Sequence, residues 1–299
     1  SSNLSDAELC LATMERTLRK TLNRQFSWLA AAVVTFLSVQ ALATTSAVEQ
    51  NTFLFPEQRH EKIGELITQF IQNSHYMHIT VDDDLSSQVM DVYIESLDRN
   101  RLYLLASDVK YFDAYRYQLD DIVKSKPLDP VFEIFEVYQT RVRERLTFAL
   151  SQLDTEPDYT STDQYEFDRS ESAWAADSTE LDEIWRKRVV NDALNLALED
   201  EPWEKIREVL SKRYKGFIKR LDQVNNDDVF ERFMNAFAHA LDPHSSYLSP
   251  RNSEEYRIQM SLSYFGIGAS LQTEDDFVKI VGIIPGGPAA IDGKLQPND

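Results

Sequence analysis

The sequence predicts a mostly α-helical chain that ends in the beginning of a small β-rich domain. Three observations carry this reading. Apolar residues recur at helical spacing from about Glu57 to Leu241. Only 8 of the 299 residues are glycine, so glycine is not used loosely, yet Gly266 and Gly268 bracket a single isoleucine near the end of the chain. Beyond Asp242 the helical pattern gives way to a Pro- and Ser-rich stretch and then to short alternating or apolar runs.

The elements follow in order. Ile63, Leu66, Ile67, Phe70 and Ile71 follow one helical stripe. Asp82, Asp83 and Asp84 place negative charge at the start of a second helix carrying Leu85, Val89 and Val92. Ser107 is positioned to cap a third helix with Val109, Phe112, Leu119 and Val123. In "LDPVFEIFEVY", Asp129 reads as an N-cap and Pro130 as the first helical residue. Its stripe of Phe132, Phe135, Val142, Leu146, Ala149 and Leu153 predicts a very long helix. Thr155 to Thr179 has no stripe and reads as a long connection, whose Tyr159, Tyr165, Phe167 and Trp174 suit packing onto helices. Helices resume at Leu181, Ile184 and Trp185. Pro202 opens the next, with Ile206, Val209, Leu210, Phe217 and Leu221, and Val229, Phe230, Phe233, Phe237 and Leu241 mark the last. "GASLQ" and "FVKIVGII" read as strands, and "PGGPAAIDGKL" as a turn followed by a short helix.

The N-terminus has its own logic. Residues 1–13 fit neither a leader nor the fold. From Met14, a basic head (Arg16, Arg19, Lys20, Arg24) precedes the uncharged apolar run Trp28–Val39 and the small-residue ending Ala41-Leu42-Ala43. This is the three-part pattern of a cleavable secretory signal over 14–43, with an uncleaved anchor as the alternative. The run is short for a membrane span. Cys10, the single cysteine, precedes it, so the expected mature chain carries no thiol and needs no disulfide in an oxidising compartment. The balance of 50 Asp+Glu against 31 Lys+Arg argues against nucleic acid as a partner.

Candidate chemical groups are sparse. His244 with Ser245 and Ser246 invites a hydrolase reading, but Asp242-Pro243 reads better as a helix stop and turn. His75 and His78 lack the further ligands a metal site needs. There is no phosphate-binding glycine loop, no GxSxG and no dinucleotide fingerprint, and no cofactor is expected. In "YFGIGASL", a Gly-apolar-Gly turn entering an edge strand can aim successive backbone N–H groups at one anion, such as a peptide carboxylate. A plain β-turn explains the same pattern.

Several stretches taken together resemble a known family. "LDPHSSYLSPRNSEEYRIQMSLSYFGIGASLQ", followed by "VGIIPGGPAAIDGKLQPND", is similar to the tail-specific, carboxy-terminal processing proteases of bacteria. "NRLYLLASDV", "YEFDRS" and "LSKRYKGFIKRL" resemble the helical N-terminal domain of the long subfamily. Gly286 to Asp299 looks like a "G-S-P-A…G-L-x-x-G-D" segment, with Asn298 where glycine is usual. The resemblance implies a helical N-terminal domain over 44–241, a linker over 242–260 and the start of a PDZ domain over 261–299. It implies an exported, periplasmic serine endopeptidase, associated with the inner membrane, that cleaves proteins recognised by their C-terminal tails. Phe265, Gly266, Ile267, Gly268, Ala269, Ser270 and Leu271 stand where the family's peptide-binding loop and strand stand, with donors expected from about Gly266 to Gly268. The resemblance also implies a Ser–Lys dyad downstream of the PDZ domain, so no residue of this chain is assigned a catalytic role. Expected partners are protein C-terminal tails and a lipoprotein adaptor for the helical domain, and bound tails are expected to bias the protease toward its active arrangement. The competing reading is a non-catalytic periplasmic helical scaffold or peptide-binding module.

Overall fold

The structure, a computed structural model, describes residues 53–74, 79–261, 266–274 and 277–299. The segment read as a leader, Cys10, His75, His78 and Phe265 lie outside the described residues. The chain divides into Ser1–Phe53 and Leu54–Asp299, and the second unit holds the elements below.

The helices are α1 (Gln58–Ser74), α2 (Asp83–Asp98), α3 (Ala106–Phe112), α4 (Leu119–Ser125), α5 (Asp129–Gln152), α6 (Ser178–Ala197), α7 (Trp203–Asp222), α8 (Asn226–Leu241), α9 (Pro250–Ser261) and α10 (Pro288–Asp292). The 24-residue α5 is the spine, about 36 Å long at 1.5 Å per residue. Its first half, through Val131, Phe132, Ile134 and Phe135, joins a core built from α1, α2, α4 and α8. Its second half, through Val142, Leu146 and Ala149, joins a second core with Trp185 and Val189 of α6 and Leu210 and Tyr214 of α7.

Helix α8 shows how the sequence produces its element. Asn225 Oδ1 accepts the Asp227 and Asp228 N–H groups, and the Asp228 carboxylate accepts the Asn225 N–H, closing a reciprocal cap. Val229, Phe230, Phe233, Phe237 and Leu241 are then all buried on one face. Asp82 caps α2 as expected, accepting the Leu85 N–H at 3.1 Å. The connection from Leu153 to Asp177 has no helix or strand. Tyr159 and Trp174 pack onto the cores, whereas Phe167 is exposed and meets Tyr165 edge-on.

Five expectations change. The helix read from Ser107 to Val123 is two, α3 and α4, joined by a 3₁₀ turn at Asp113–Tyr115. Ser86 of α2 holds this break: its hydroxyl donates to the Arg116 C=O at 2.7 Å and accepts the Leu119 N–H at 2.8 Å. Ser107 does not cap α3, because the helix starts before it, with Leu105 at the N-cap; there the Asp108 carboxylate accepts the Leu105 N–H and is itself gripped by the Arg141 guanidinium at 2.8 and 3.0 Å. Asp129 lies inside α5, one residue past the N-cap Leu128, where its charge still faces the positive helix end. Leu66 (52 % exposed) and Phe70 (64 %) face outward on α1, and Phe217 on α7 is also exposed, its ring covered by Arg220 at 4.5 Å. The segment read as a linker is helical from Pro250 to Ser261, with no buried residue.

Two strands follow, β1 (Ala269–Glu274) and β2 (Phe277–Ile283), paired antiparallel from Ala269↔Ile283 to Glu274↔Phe277. A bulge lies between Ser270 and Leu271. On the other side of β2, the Ile280 N–H donates to the Asp299 C=O at 3.0 Å and the Ile280 C=O accepts the Asn298 N–H at 2.7 Å. Among the described residues, β2 is the strand neighbour of β1, and the second edge of β1 carries no strand.

Candidate functional site

The Gly266–Ala269 loop enters β1 under tight constraint. Gly268 has φ +77°, in the left-handed region that glycine adopts without penalty. A Cβ there would lie 3.0 Å from the Gly287 Cα and 3.0 Å from the Pro288 Cδ, so the position excludes a side chain on two counts. The two carbonyls of the loop are both engaged. The Ile267 C=O accepts the Ala289 N–H of α10 at 2.8 Å, and the Gly268 C=O accepts the Ile284 N–H at 2.9 Å.

Those two bonds fix where the donors aim. In a trans peptide the N–H points opposite the C=O of the same unit. With the Ile267 and Gly268 carbonyls turned toward α10 and the end of β2, the N–H groups of Gly268 and Ala269 point the other way. For Ala269 that direction is the open edge of β1. The loop therefore presents two consecutive N–H groups beside a strand edge that carries no described strand, an arrangement suited to one carboxylate and an extended chain behind it. Ile267 (52 % exposed) and Leu271 (55 %) supply apolar surface, and Ser270 is exposed beside them. Of the residues read from the sequence, Gly266 to Leu271 thus fall in one loop and strand. The N–H groups that face away from the two engaged carbonyls are those of Gly268 and Ala269, where the sequence reading expected donors from about Gly266 to Gly268. The sequence reading missed the part played by Gly287 and Pro288, whose only trace in the sequence is the "GGP" triplet.

The His244 region is a turn. The Asp242 carboxylate accepts the His244 N–H at 3.1 Å and the Ser245 hydroxyl at 3.2 Å, while the Ser245 N–H donates to the Asp242 C=O at 3.0 Å. Among the described residues, no group of three or more His, Cys, Asp or Glu is placed to hold a metal ion.

The helical domain carries two buried polar anchors that periodicity does not reveal. Asp98, at the end of α2, accepts the N–H groups of Leu102, Tyr103 and Leu104 at 2.8, 2.8 and 2.9 Å. Burial pushes its carboxyl up, and these three bonds pull against that shift. The loop they hold includes Arg101 at φ +51°, whose guanidinium lies over Trp174. His60 of α1 stacks on Phe230 at 4.6 Å, and its Nε2 lies 2.7 Å from the Asp227 carboxylate at the start of α8. Its Nδ1 accepts the Glu57 N–H, so the proton sits on Nε2 and points at Asp227. Both anchors tie chain segments together and neither lines the loop site. No helix of the described residues is long and apolar enough to cross a membrane.

Comparison with known proteins bears on most of the chain. The family model described as "Tail specific protease N-terminal domain" matches residues 67–251. A curated "Tail-specific protease" from Haemophilus influenzae is 41 % identical over 230 residues, which is 77 % of this chain and 33 % of that protein. The chain spans about a third of the length of this relative. The matched region runs from the middle of α1 into α9 and takes in both cores. The chain belongs to the tail-specific protease family, and its helical domain is the N-terminal domain of that family.

Proposed function

We propose that this chain is the N-terminal part of an exported serine endopeptidase that recognises C-terminal tails of proteins through a PDZ domain, of which residues 261–299 are the beginning. The observation that carries tail recognition is the pair of N–H groups at Gly268 and Ala269, aimed away from their engaged carbonyls and set at the open edge of β1. A tail carboxylate accepts from this pair, and the residues before it extend β1 by strand addition. The apolar surface of Ile267 and Leu271 favours an apolar last residue. The serine nucleophile and its lysine base belong to a protease core downstream of Asp299. The basic head, apolar run and Ala41-Leu42-Ala43 ending direct export, and mass spectrometry of the exported product is expected to find Thr44 as its N-terminus.

A binding measurement tests tail recognition. The full-length protein is titrated with a fluorescent peptide ending in a free apolar residue, and with its amidated twin. A hydrogen bond to a charged group contributes about 1.5–3 kcal/mol net, so loss of the charge weakens binding about tenfold or more. Equal affinity for the two peptides leaves the loop as a turn and the chain as a scaffold.

A further inference from the structure

We propose that Gly287 and Pro288, some twenty residues beyond the loop, are positioning residues of the tail-binding site. This inference rests on the tail-recognition reading above. The backbone at Gly287 is ordinary, with φ −76° and ψ 168°, a conformation open to every residue. Its dihedrals therefore give no reason for glycine. Its surroundings do: a Cβ would stand 3.1 Å from the Gly268 Cα and 3.1 Å from the Ile284 O. The crowding is reciprocal, since a Cβ on Gly268 would stand 3.0 Å from the Gly287 Cα. The two backbones meet with no side chain between them, and Pro288 closes the contact through its ring Cδ and N, at 3.0 and 3.1 Å from the same Gly268 Cβ position.

What this contact sets is the direction of the donors. The Gly287–Pro288 corner delivers the Ala289 N–H to the Ile267 C=O at 2.8 Å, while the Gly287 N–H closes the turn onto the Ile284 C=O at 3.0 Å. Ile284 in turn donates to the Gly268 C=O. The bonds from Ala289 and Ile284 each orient one peptide unit of the loop, and through it one of the two N–H groups offered to the carboxylate. A methyl group at Gly287 has to move backbone by several tenths of an ångström, because both close atoms are main chain. That displacement tilts the donors and weakens bonds that depend on alignment.

Neighbouring glycines separate this role from general stability. Gly286 has φ +78° but no atom within 4 Å of an added Cβ, and Gly282 likewise meets nothing within 4 Å. The experiment measures, in the full-length protein, affinity for a fluorescent peptide with a free apolar C-terminus and for its amidated twin, for wild type, Gly287→Ala, Pro288→Ala, Gly286→Ala and Gly282→Ala. Expected is a roughly tenfold loss for the free peptide in Gly287→Ala with the amidated peptide unchanged, so the ratio between them collapses. Pro288→Ala, which loosens rather than crowds the corner, shows a smaller loss of the same kind. Gly286→Ala lowers the melting temperature and keeps the ratio, and Gly282→Ala keeps both. A wild-type ratio near one overturns tail recognition itself. A large wild-type ratio that survives in Gly287→Ala overturns the positioning role alone. Should Gly287→Ala fail to fold, an unchanged ratio in Pro288→Ala overturns the role.

Discussion

Replacing Asp98 with alanine removes the acceptor for three successive backbone donors at once. The Leu102 and Leu104 bonds are buried and the Tyr103 bond is partly so. Hydrogen bonds to a charged group contribute about 1.5–3 kcal/mol each, or roughly 4–9 kcal/mol for the set. Two effects reduce this. The buried carboxylate carries a desolvation cost that the variant escapes, as the upward push on its carboxyl indicates. Water also reaches part of the vacated space near Tyr103. The expected net loss is about 3–5 kcal/mol. In a domain of this size each kcal/mol lowers Tm by about 2–4 °C, which gives a fall of roughly 6–20 °C. Circular dichroism at 222 nm follows the melt, and Trp185 fluorescence reports locally, because the Trp185 indole N–H donates to the Leu102 C=O at 2.6 Å. Asp98→Asn keeps one oxygen for Tyr103 and Leu104 but turns its NH₂ toward the Leu102 N–H, so it falls between wild type and alanine. An alanine variant within about 1 kcal/mol of wild type would refute the view that this carboxylate organises the loop.

Three further outcomes are expected. Phe70→Ala changes stability by less than about 0.5 kcal/mol, whereas its neighbour Ile71→Ala, 6 % exposed in the wild type, costs about 2–5 kcal/mol in urea unfolding; equal costs would mean that α1 is rotated. Burial pushes Tyr93, Tyr138 and Tyr214 well above the ordinary phenol range. A folded pKa above the unfolded one gives stability that is complete below about pH 10 and lost as pH rises past it. The urea midpoint therefore falls above about pH 10, less steeply in Tyr214→Phe, and a flat profile to pH 11 contradicts the assignment. Purified Ser1–Asp299 cleaves no unstructured protein bearing an apolar C-terminus; turnover abolished by His244→Ala or Ser245→Ala would restore the catalytic reading of that turn.

The helices were legible where the apolar stripe falls on the buried face. Helix α8 and helix α5 are of this kind, and their stripes are buried as read. Helix α1 is not. It packs closely on α4 at Gly64, where a Cβ would lie 3.3 Å from the Val123 O, flanked by buried His60 and Thr68. Thr68 satisfies its hydroxyl on the Gly64 C=O at 2.9 Å. Small and polar residues thus form the tight side of the helix, and a search for apolar spacing rotates it toward Leu66 and Phe70. The break between α3 and α4 was invisible for a different reason. Local propensity allows one helix through Asp113–Gln118, and the interruption depends on Ser86, about thirty residues away, meeting its free backbone groups.

The loop poses the reverse problem, since its residues were legible and their meaning was not. Glycine at position 268 is required twice over by the fold, by its dihedral and by the approach of Gly287. A plain turn with the same neighbours would demand the same residue, so the glycines alone do not argue for a ligand. The direction of the peptide units does. Here the acceptors of two consecutive units are engaged, by Ala289 and Ile284, and the donors of those units are turned toward an edge that carries no described strand. Satisfying the carbonyls with residues from β2 and α10 is what frees the N–H groups to face one guest. The proposed carboxylate recognition rests on that asymmetry, with a free peptide end as the group that would supply both an anion for the loop and a backbone for the edge.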